Sequence, residues 1–237
     1  MLHTILFDLD GTLLPMDQEK FVKSYLHHLT AYLAPLGYDA KTVAKAIWAG
    51  MDAMIGNDGA RSNEQVFWEC FSKFFARDVL ADQPVFTEFY RTDFQKVAAD
   101  CGYHPAARQL IDSLNAAGFR LILATNPVFP AVATESRMRW AGLEPENFAY
   151  YTTYENSRYC KPNPDYYREI LHTLAIDPAE CMMVGNDVDE DMVAAQLGMQ
   201  VFLLTDCLIN RKNEEISRYP HGSFPELRNR IAQCAAG

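Results

Sequence analysis

From Cys101 to Leu204 the sequence alternates between helix and strand signals, and this alternation restricts the possible folds more than any other feature. Pro105 opens a predicted helix that Gly118 closes, and the apolar run FRLILA at 119–124 then predicts a buried strand. Strands that alternate with helices are typical of a mainly parallel sheet with helices on both of its faces. The pattern therefore indicates an α/β protein with a three-layer, Rossmann-like parallel sheet.

The remaining elements fit the same scheme. Those that are predicted after residue 124 are a helix from Pro130 to Gly142, a weak strand-like stretch, a helix that begins at Asn163-Pro164, a strand CMMVG at 181–185, a helix from Val188 to Leu197, and a strand QVFLL at 200–204. The run LHTILF at 2–7 supplies the first strand, and a short helix is expected near 226–235.

Residues 16–100 have a different character, because they contain no convincing strand signal and about half of the aromatic residues of the chain. Apolar residues recur there at helical spacing, and a Ser62-x-x-Gln65 capping box precedes one such stripe. The aromatic residues expected in the core of this segment are Trp48, Trp68, Phe67, Phe71, Phe74 and Phe75. We therefore predict a helical bundle inserted after the first strand.

Polar side chains follow three of the predicted strands at the point where each strand ends. They are Asp8 and Asp10 after 2–7, Thr125 and Asn126 after 119–124, and Asp187 after 181–185. In open parallel sheets, ligands bind beyond the carboxyl ends of the strands. These side chains are therefore expected to meet in one site.

Four motifs in this order, DLDGT at 8–12, TN at 125–126, KPNP at 161–164 and DVDED at 187–191, resemble those of the haloacid dehalogenase superfamily of phosphohydrolases. The resemblance covers residues 1–15 and about 101–205. The insertion looks like the all-helical cap that some members carry. The implied domains are an α/β catalytic core of residues 1–15 and 101–237 and a helical cap of residues 16–100.

The aspartates after the first strand suit phosphate ester chemistry. A carboxylate that attacks phosphorus splits hydrolysis into two steps through an aspartyl-phosphate, and Asp8 is assigned as that nucleophile. Because two anions must then meet, a Mg²⁺ ion is expected, with Asp8, Asp187 and the backbone carbonyl of Asp10 as ligands. The side chain of Asp10 lies near other carboxylates, which favours its protonated form and suits it for proton transfer.

The other motifs are expected to bind the phosphate group. The Thr125 hydroxyl, the Asn126 backbone and the Lys161 ammonium would hold its equatorial oxygens. Thr12 is expected to brace the turn after Asp10 by a side-chain hydrogen bond. Asp191 lies one turn after Asp187, so it tunes the metal through water, orients Lys161, or faces solvent.

The leading hypothesis is a Mg²⁺-dependent phosphatase that acts on a small phosphorylated metabolite. A sugar phosphomutase shares every residue named above, and a phosphonate hydrolase would need a further lysine in the insertion. From other classes, a phospho-accepting receiver and a non-catalytic binding relative stay open, although receivers lack such an insertion. The insertion loop that holds Asn57, Asp58 and Arg61 faces either the site or solvent.

Composition restricts the partners and the location. The 237-residue chain has a net charge of −10, which works against binding of a nucleic-acid backbone. No apolar run approaches the roughly 18–20 residues that cross a bilayer, and aspartates interrupt the first apolar stretch before a signal-peptide core could form. The expected partner is a small phosphate ester in the cytoplasm, with no nucleic acid, no membrane and an open oligomeric state.

Overall fold

The computed structural model describes residues 1–236 and contains a six-stranded sheet in which all neighbouring strands are parallel. The strands are β1 (Thr4–Phe7), β2 (Arg120–Leu123), β3 (Tyr150–Tyr151), β4 (Cys181–Gly185), β5 (Gln200–Leu204) and β6 (His221–Gly222). Their spatial order is β3-β2-β1-β4-β5-β6. The chain reverses its direction of travel across the sheet between β1 and β4, which creates a crevice at their carboxyl ends.

Eight α-helices accompany these strands in residues 1–236. They are α1 (Gln18–Leu33), α2 (Ala40–Ile55), α3 (Asn63–Ser72), α4 (Gln83–Arg91), α5 (Pro105–Ala116), α6 (Ala131–Trp140), α7 (Pro164–Leu174) and α8 (Phe224–Ala236). Helices α1 to α4 lie in the insertion, and the other four alternate with the strands or follow them. The α/β fold class is confirmed.

Both faces of the sheet are buried, as the near-continuous apolar strands predict. In β1, Ile5 and Phe7 point into one apolar cluster that α5 and α8 complete, whereas Leu6 points into a second cluster on the opposite face with α7. This alternation follows from the two-residue period of a strand. The three layers fix the positions of the strand ends.

The insertion has its own apolar core, which is dominated by aromatic side chains such as Phe71, Phe89 and Phe94. The Ser62 capping box is present at the start of α3. Two predicted core residues are in fact exposed: Trp48 (46%) lies on the outer side of α2, and Phe74 (39%) follows the end of α3. Periodicity had extended that helix beyond Ser72, so the prediction for Phe74 was wrong.

The insertion is connected to the rest of the chain by two adjacent segments. The Gly102 N–H donates to the Pro15 carbonyl oxygen at 2.7 Å, and Met16 forms an antiparallel bridge with Cys101. The apolar cluster of the insertion also includes Phe129 from outside it. The proposed division at residues 15/16 and 100/101 lies at this double connection and stays a prediction.

The largest local difference from the predicted elements concerns the acidic motif at 187–191. A helix was predicted from Val188, but a short 3₁₀ helix begins only at Met192 and ends at Leu197. The Asp187 and Asp191 carboxylates accept hydrogen bonds from backbone N–H groups of this motif, and these bonds hold residues 187–191 in turns. The strand β6 was not predicted, because a two-residue strand leaves no periodic signal.

Within residues 1–236 there is no helix with the length and the apolar character that crossing a membrane requires.

Candidate active site

Asp8 follows β1 directly and stands at the crevice between β1 and β4. Its backbone N–H donates to the Val184 carbonyl oxygen at 2.9 Å, which extends the sheet by one residue and fixes the Cα position. The residue is 7% exposed. Burial raises the pKa of the Asp8 carboxyl, the charge of Lys161 opposes this, and the charge of Asp10 adds to it.

Lys161 is a buried cation that forms an ion pair with Asp8. Its Nζ donates to Asp8 Oδ1 at 2.8 Å and to Asp191 Oδ1 at 2.7 Å. Burial lowers the pKa of Lys161, but the Asp191 and Asp8 carboxylates overcome this and hold that pKa well above its usual value. Lys161 is therefore a fixed cation with two of its three N–H donors occupied.

Asp191 is the second carboxylate of this buried triad. Its other oxygen, Oδ2, accepts from the Asp187 N–H at 3.0 Å. Burial raises the pKa of Asp191 to about 6, against the opposing charge of Lys161. Of the three predicted roles, the orientation of Lys161 matches this geometry, and solvent exposure does not, because Asp191 is 1% exposed.

Two glycines make this close approach possible. A Cβ atom at Gly185, the last residue of β4, would overlap the Asp191 carboxylate. Gly11 has a φ of +88°, and a Cβ atom there would overlap the Asn186 side chain. Thr12 Oγ1 donates to Asn186 Oδ1 at 2.9 Å, so it ties the turn after Asp10 to the end of β4.

Thr125 and Asn126 follow β2 on the other side of β1. The Thr125 carbonyl oxygen accepts from the hydroxyls of Thr152 at 2.6 Å and Tyr166 at 2.9 Å, which anchors the backbone of this buried residue. Asn126 Oδ1 accepts from the Lys161 N–H at 3.2 Å, and Asn126 Nδ2 donates to Glu190 Oε2 at 3.1 Å. The second, third and fourth motifs are thus joined by direct hydrogen bonds.

Asp187 is held by its own turn and by an arginine. Its Oδ1 accepts from the N–H groups of Asp189 at 2.9 Å and Glu190 at 3.1 Å. Its Oδ2 forms an ion pair with Arg211, a residue that the sequence analysis did not single out. The Arg211 side chain is half exposed, whereas the Asp187 carboxylate that it pairs with is buried.

The Asp10 side chain has an unforeseen cationic neighbour. Its Oδ2 forms an ion pair with Arg137, a fully buried residue of α6. Asp10 lies near other carboxylates, as the sequence predicts, but nothing in the sequence indicated this arginine. Arg137 is held in turn by Thr134 Oγ1 at 3.3 Å and by the ring of Phe129, 4.5 Å from its guanidinium carbon.

The other oxygen of this carboxyl, Asp10 Oδ1, is buried and has no hydrogen-bond partner among the described residues. A buried polar atom without a partner is costly, so such atoms are uncommon outside sites where a ligand completes the bonding. Asp10 therefore presents one oxygen that is fixed by Arg137 and one that is free to bond to a bound molecule.

These residues surround one cavity of about 190 Å³, which we call the strand-end cavity. The predicted site residues that line it are Asp8, Asp10, Thr125, Asn126, Asp187 and Asp191. Lys161 and Thr12 do not line the cavity. Lys161 contacts the lining residues Asp8 and Asp191, and Thr12 bonds to Asn186, which lines it. Among the described residues, no three His, Cys, Asp or Glu side chains converge tightly enough to form a metal site by themselves.

The strand-end cavity is surrounded by more carboxyl groups than cationic side chains. Five carboxylates line it, those of Asp8, Asp10, Asp187, Glu190 and Asp191, and three cations contact them, those of Lys161, Arg137 and Arg211. Glu190 was not foreseen. Burial raises the pKa of Glu190 to about 7, Lys161 opposes this, and Asp187, Asp191 and Asp8 add to it.

Comparison with known proteins identifies the family. The model of the haloacid dehalogenase-like hydrolases matches residues 2–198, which is most of the chain. The chain belongs to this family. It is therefore a hydrolase, and the resemblance inferred from the four motifs is confirmed.

Individual relatives of this haloacid dehalogenase-like hydrolase are distant. The chain is 26% identical over 195 residues to pyrophosphatase PpaX of Bacillus velezensis, which covers 82% of this chain and 79% of that protein. A 2-haloacid dehalogenase from Pseudomonas syringae pv. Tomato superposes with a TM-score of 0.64 at 21% identity, over 98% and 99% of the two chains. A phosphatase of the same superfamily from Thermococcus onnurineus superposes with a TM-score of 0.58 at 18% identity, over 97% of this chain and 98% of that chain. The two structures support the shared fold.

Functional residues that the sequence analysis missed are Arg137, Arg211 and Glu190. An arginine in a helix normally lies on the surface, and α6 has no clear apolar stripe that would indicate which of its sides is buried, so Arg137 gave no signal. The insertion loop that holds Asn57 and Arg61 was expected to face either the site or solvent, and the structure does not place these two residues at the site. Arg61 pairs with Glu69 on the surface, and Asn57 Nδ2 donates to Asn63 Oδ1 at 2.9 Å. Neither residue lines the strand-end cavity.

Proposed function

We propose that this hydrolase is a phosphoric monoester hydrolase that transfers the phosphoryl group of a small phosphorylated metabolite to Asp8 and then to water. One observation carries the proposal. The carboxylate of Asp8 lines the strand-end cavity, in the crevice between β1 and β4, and it is held in place by a hydrogen bond from the buried Lys161. A nucleophile needs this combination of access and fixed orientation.

In the first step, the Asp8 oxygen that is not bonded to Lys161 forms a bond to phosphorus as the ester P–O bond breaks. Asp10 donates a proton through Oδ1 to the departing oxygen. In the second step a water molecule attacks phosphorus, Asp10 takes up its proton, and the bond between Asp8 and phosphorus breaks. Inorganic phosphate is released, Asp8 is again a carboxylate, and Asp10 again carries the proton that it donated in the first step.

The residues that we propose for binding the transferred phosphoryl group are the Thr125 hydroxyl, the Asn126 backbone and the Lys161 ammonium. Two of the three N–H donors of Lys161 are directed at Asp8 and Asp191, so the third is available for a phosphate oxygen. Phosphoryl transfer depends mainly on positioning and on charge stabilisation. The buried, rigid setting of these donors suits that task.

The donor set fits a magnesium ion. The Asp8 and Asp187 carboxylates and the backbone carbonyl of Asp10 would hold it, and they are hard oxygen donors of the kind that Mg²⁺ prefers. The strand-end cavity is surrounded by five carboxyl groups and three cationic side chains, so a bound cation would offset part of this imbalance. When bound, Mg²⁺ would supply the charge neutralisation that lets a phosphate dianion approach Asp8.

We expect EDTA to reduce turnover of an aryl phosphate by at least about 10³-fold and Mg²⁺ to restore it. In the EDTA-treated protein, added Mg²⁺ should also raise the melting temperature, because it binds only the folded state.

Asp187→Asn should weaken this thermal shift and raise the Mg²⁺ concentration for half-activation by about tenfold. The matched control is Asp189→Asn, whose carboxylate pairs with Lys212 outside the strand-end cavity. Hydrolysis that persists without any metal would contradict the ligand assignment.

Arg137 is proposed as a positioning residue that holds the Asp10 side chain. General acid–base assistance is worth about 10²–10⁴-fold, so we expect Arg137→Met to reduce turnover by about 10²-fold. The loss should be larger for an alkyl phosphate than for 4-nitrophenyl phosphate, because nitrophenolate leaves without a proton. Arg137→Lys should recover part of the activity.

The control is Arg139→Met on the same helix, where the side chain is half exposed and pairs with Glu135 and Glu144. It should change turnover by less than about twofold. If Arg137→Met reduces the rates of both substrates by the same factor, its effect is structural, and the positioning role is wrong.

A substrate comparison tests the reaction class. With Mg²⁺ present, 4-nitrophenyl phosphate should be hydrolysed over many turnovers, whereas a 2-haloalkanoic acid should release no halide. Halide departure needs neither a proton donor nor a metal, so it gives no role to the arrangement around Asp10 and Asp187. Product that stops at one equivalent would instead favour a phospho-accepting or binding protein, and transfer between sugar positions without release of phosphate would favour a phosphomutase.

We further propose that residues 16–100 act as a cap over the catalytic core of residues 1–15 and 101–237. Residues from both parts line the strand-end cavity, among them Phe21 and Met51 from the insertion. A cap in this position would exclude bulk water during the transfer to Asp8. The expected substrate is a small phosphate ester, and the cytoplasm is its expected location.

A further inference from the structure

A second cavity, of about 290 Å³, lies between the insertion and the segment 128–132 that leads into α6. We call it the aromatic cavity. It adjoins the strand-end cavity, because Met51, Val128 and Phe129 line both. The two cavities therefore lie side by side, separated by these three side chains.

The wall of this cavity consists largely of aromatic rings, including those of Phe67, Trp68, Phe86 and Tyr90. The polar atoms of these rings have partners of their own. The hydroxyls of Tyr25 and Tyr90 lie 3.0 Å apart, and Trp68 Nε1 donates to the Tyr154 hydroxyl at 3.4 Å. The rings thus offer mainly apolar surface, which favours an aromatic or otherwise apolar occupant.

The charged groups of the aromatic cavity are all acidic. Glu64 and Glu155 line it, and no Lys, Arg or His residue does so in the described part of the chain. Glu155 accepts from the Ala131 N–H at 3.0 and 3.1 Å. The Glu64 carboxylate accepts no hydrogen bond from residues 1–236. Burial and the nearby Glu155 raise the pKa of Glu64. An anionic group would be repelled here, and a cationic or neutral group would be accepted.

We infer that the aromatic cavity receives the leaving group of the substrate, and that the substrates are monophosphate esters whose leaving group is aromatic or apolar and either neutral or cationic. This inference rests on the proposed phosphatase function and narrows its substrate class. It disfavours substrates with a second anionic group, such as bisphosphates and pyrophosphate, because no cation lines the space that this group would occupy.

The test compares kcat/KM, with Mg²⁺ present, for phenyl phosphate, 4-(aminomethyl)phenyl phosphate, 4-carboxyphenyl phosphate and pyrophosphate. The three aryl esters have similar leaving groups and differ mainly in charge. We expect the neutral and cationic esters to exceed the anionic ester by at least about tenfold, which corresponds to about 1.4 kcal/mol. Pyrophosphate should be the poorest substrate.

Variants of residues that line the aromatic cavity test whether this cavity causes the preference among the esters. Glu64→Gln combined with Glu155→Gln should reduce the ratio of the aminomethyl to the carboxy ester by about tenfold or more, since two like charges are removed. Glu69→Gln is the matched control, because Glu69 lies on the same helix and pairs with Arg61 and Lys73 on the surface. Thr87→Phe, which fills the cavity from α4, should lower kcat/KM for phenyl phosphate more than for acetyl phosphate.

The outcomes separate the two proposals. If the anionic ester or pyrophosphate is the best substrate, or if Thr87→Phe affects phenyl and acetyl phosphate equally, the leaving-group inference is overturned and the phosphatase function stands. If none of the phosphate compounds, including acetyl phosphate, is hydrolysed with Mg²⁺ present, the proposed function is overturned and the inference with it.

Discussion

Replacement of Asp8 by asparagine is expected to reduce turnover by at least about 10⁴-fold, in line with the loss of other enzymatic nucleophiles. The amide has nearly the same shape as the carboxylate, and its oxygen can still accept from Lys161 Nζ, so the fold should be retained. It cannot form the bond to phosphorus at a useful rate. Steady-state release of 4-nitrophenol, measured together with a thermal melt, checks both parts of this expectation.

The matched control is Asp112→Asn in α5. Asp112 is exposed and pairs with Arg108 one turn away, far from the strand-end cavity, and surface pairs of this kind contribute about 0–1 kcal/mol. Its turnover should match that of the wild type. Asp8→Asn with near-normal activity and a normal melt would remove Asp8 from the role of nucleophile.

Replacement of Lys161 by methionine should damage both activity and stability. The ammonium lies between two buried carboxylates, and removal of one partner from a buried ion pair costs about 3–5 kcal/mol, because an uncompensated charge stays behind. We also expect turnover to fall by at least about 10³-fold, since a donor to the phosphoryl group and the fixation of Asp8 are lost together. Urea unfolding at pH 8 and steady-state rates measure the two effects.

A double variant separates stability from catalysis. Lys161→Met combined with Asp191→Asn removes one of the two stranded carboxylates, so it should recover part of the unfolding free energy but none of the activity. Lys20→Met serves as the control, because Lys20 is exposed and pairs with Asp100 on the surface. Recovery of activity together with stability would show that Lys161 acts only as a structural counter-ion.

The sequence predicts the central part of the fold well. β1, β2, β4 and β5 are apolar runs bounded by Gly, Pro or polar residues, and burial on both faces makes such runs unambiguous. The polar residues at their ends were correctly expected to meet, because parallel strands direct their carboxyl ends to one edge. The two-residue edge strand β3 gave only a weak strand-like signal, and the two-residue edge strand β6 was not predicted, because so short a strand leaves no periodic pattern.

The cationic contacts of the site could not be predicted in the same way. Arg137 is separated from Asp10 by 127 positions and Arg211 from Asp187 by 24, and neither arginine belongs to a motif. Their roles depend on which side of α6 and of the loop after β5 faces the cavity, and that is decided by tertiary packing. The aromatic cavity was missed for a related reason, since a stripe of aromatic residues in a helix indicates a core and does not show where that core leaves a space.

The covalent role of Asp8 can be tested directly by trapping the phosphoryl group on the protein. A single turnover of a phosphate ester labelled at phosphorus is stopped with acid at millisecond times, and the digested protein is analysed for labelled peptides. We predict transient label on the peptide that contains Asp8, with rise and decay that match turnover, and no label in Asp8→Asn. Phosphate release without label on the protein at any time, or label on a different residue, would contradict this role of Asp8.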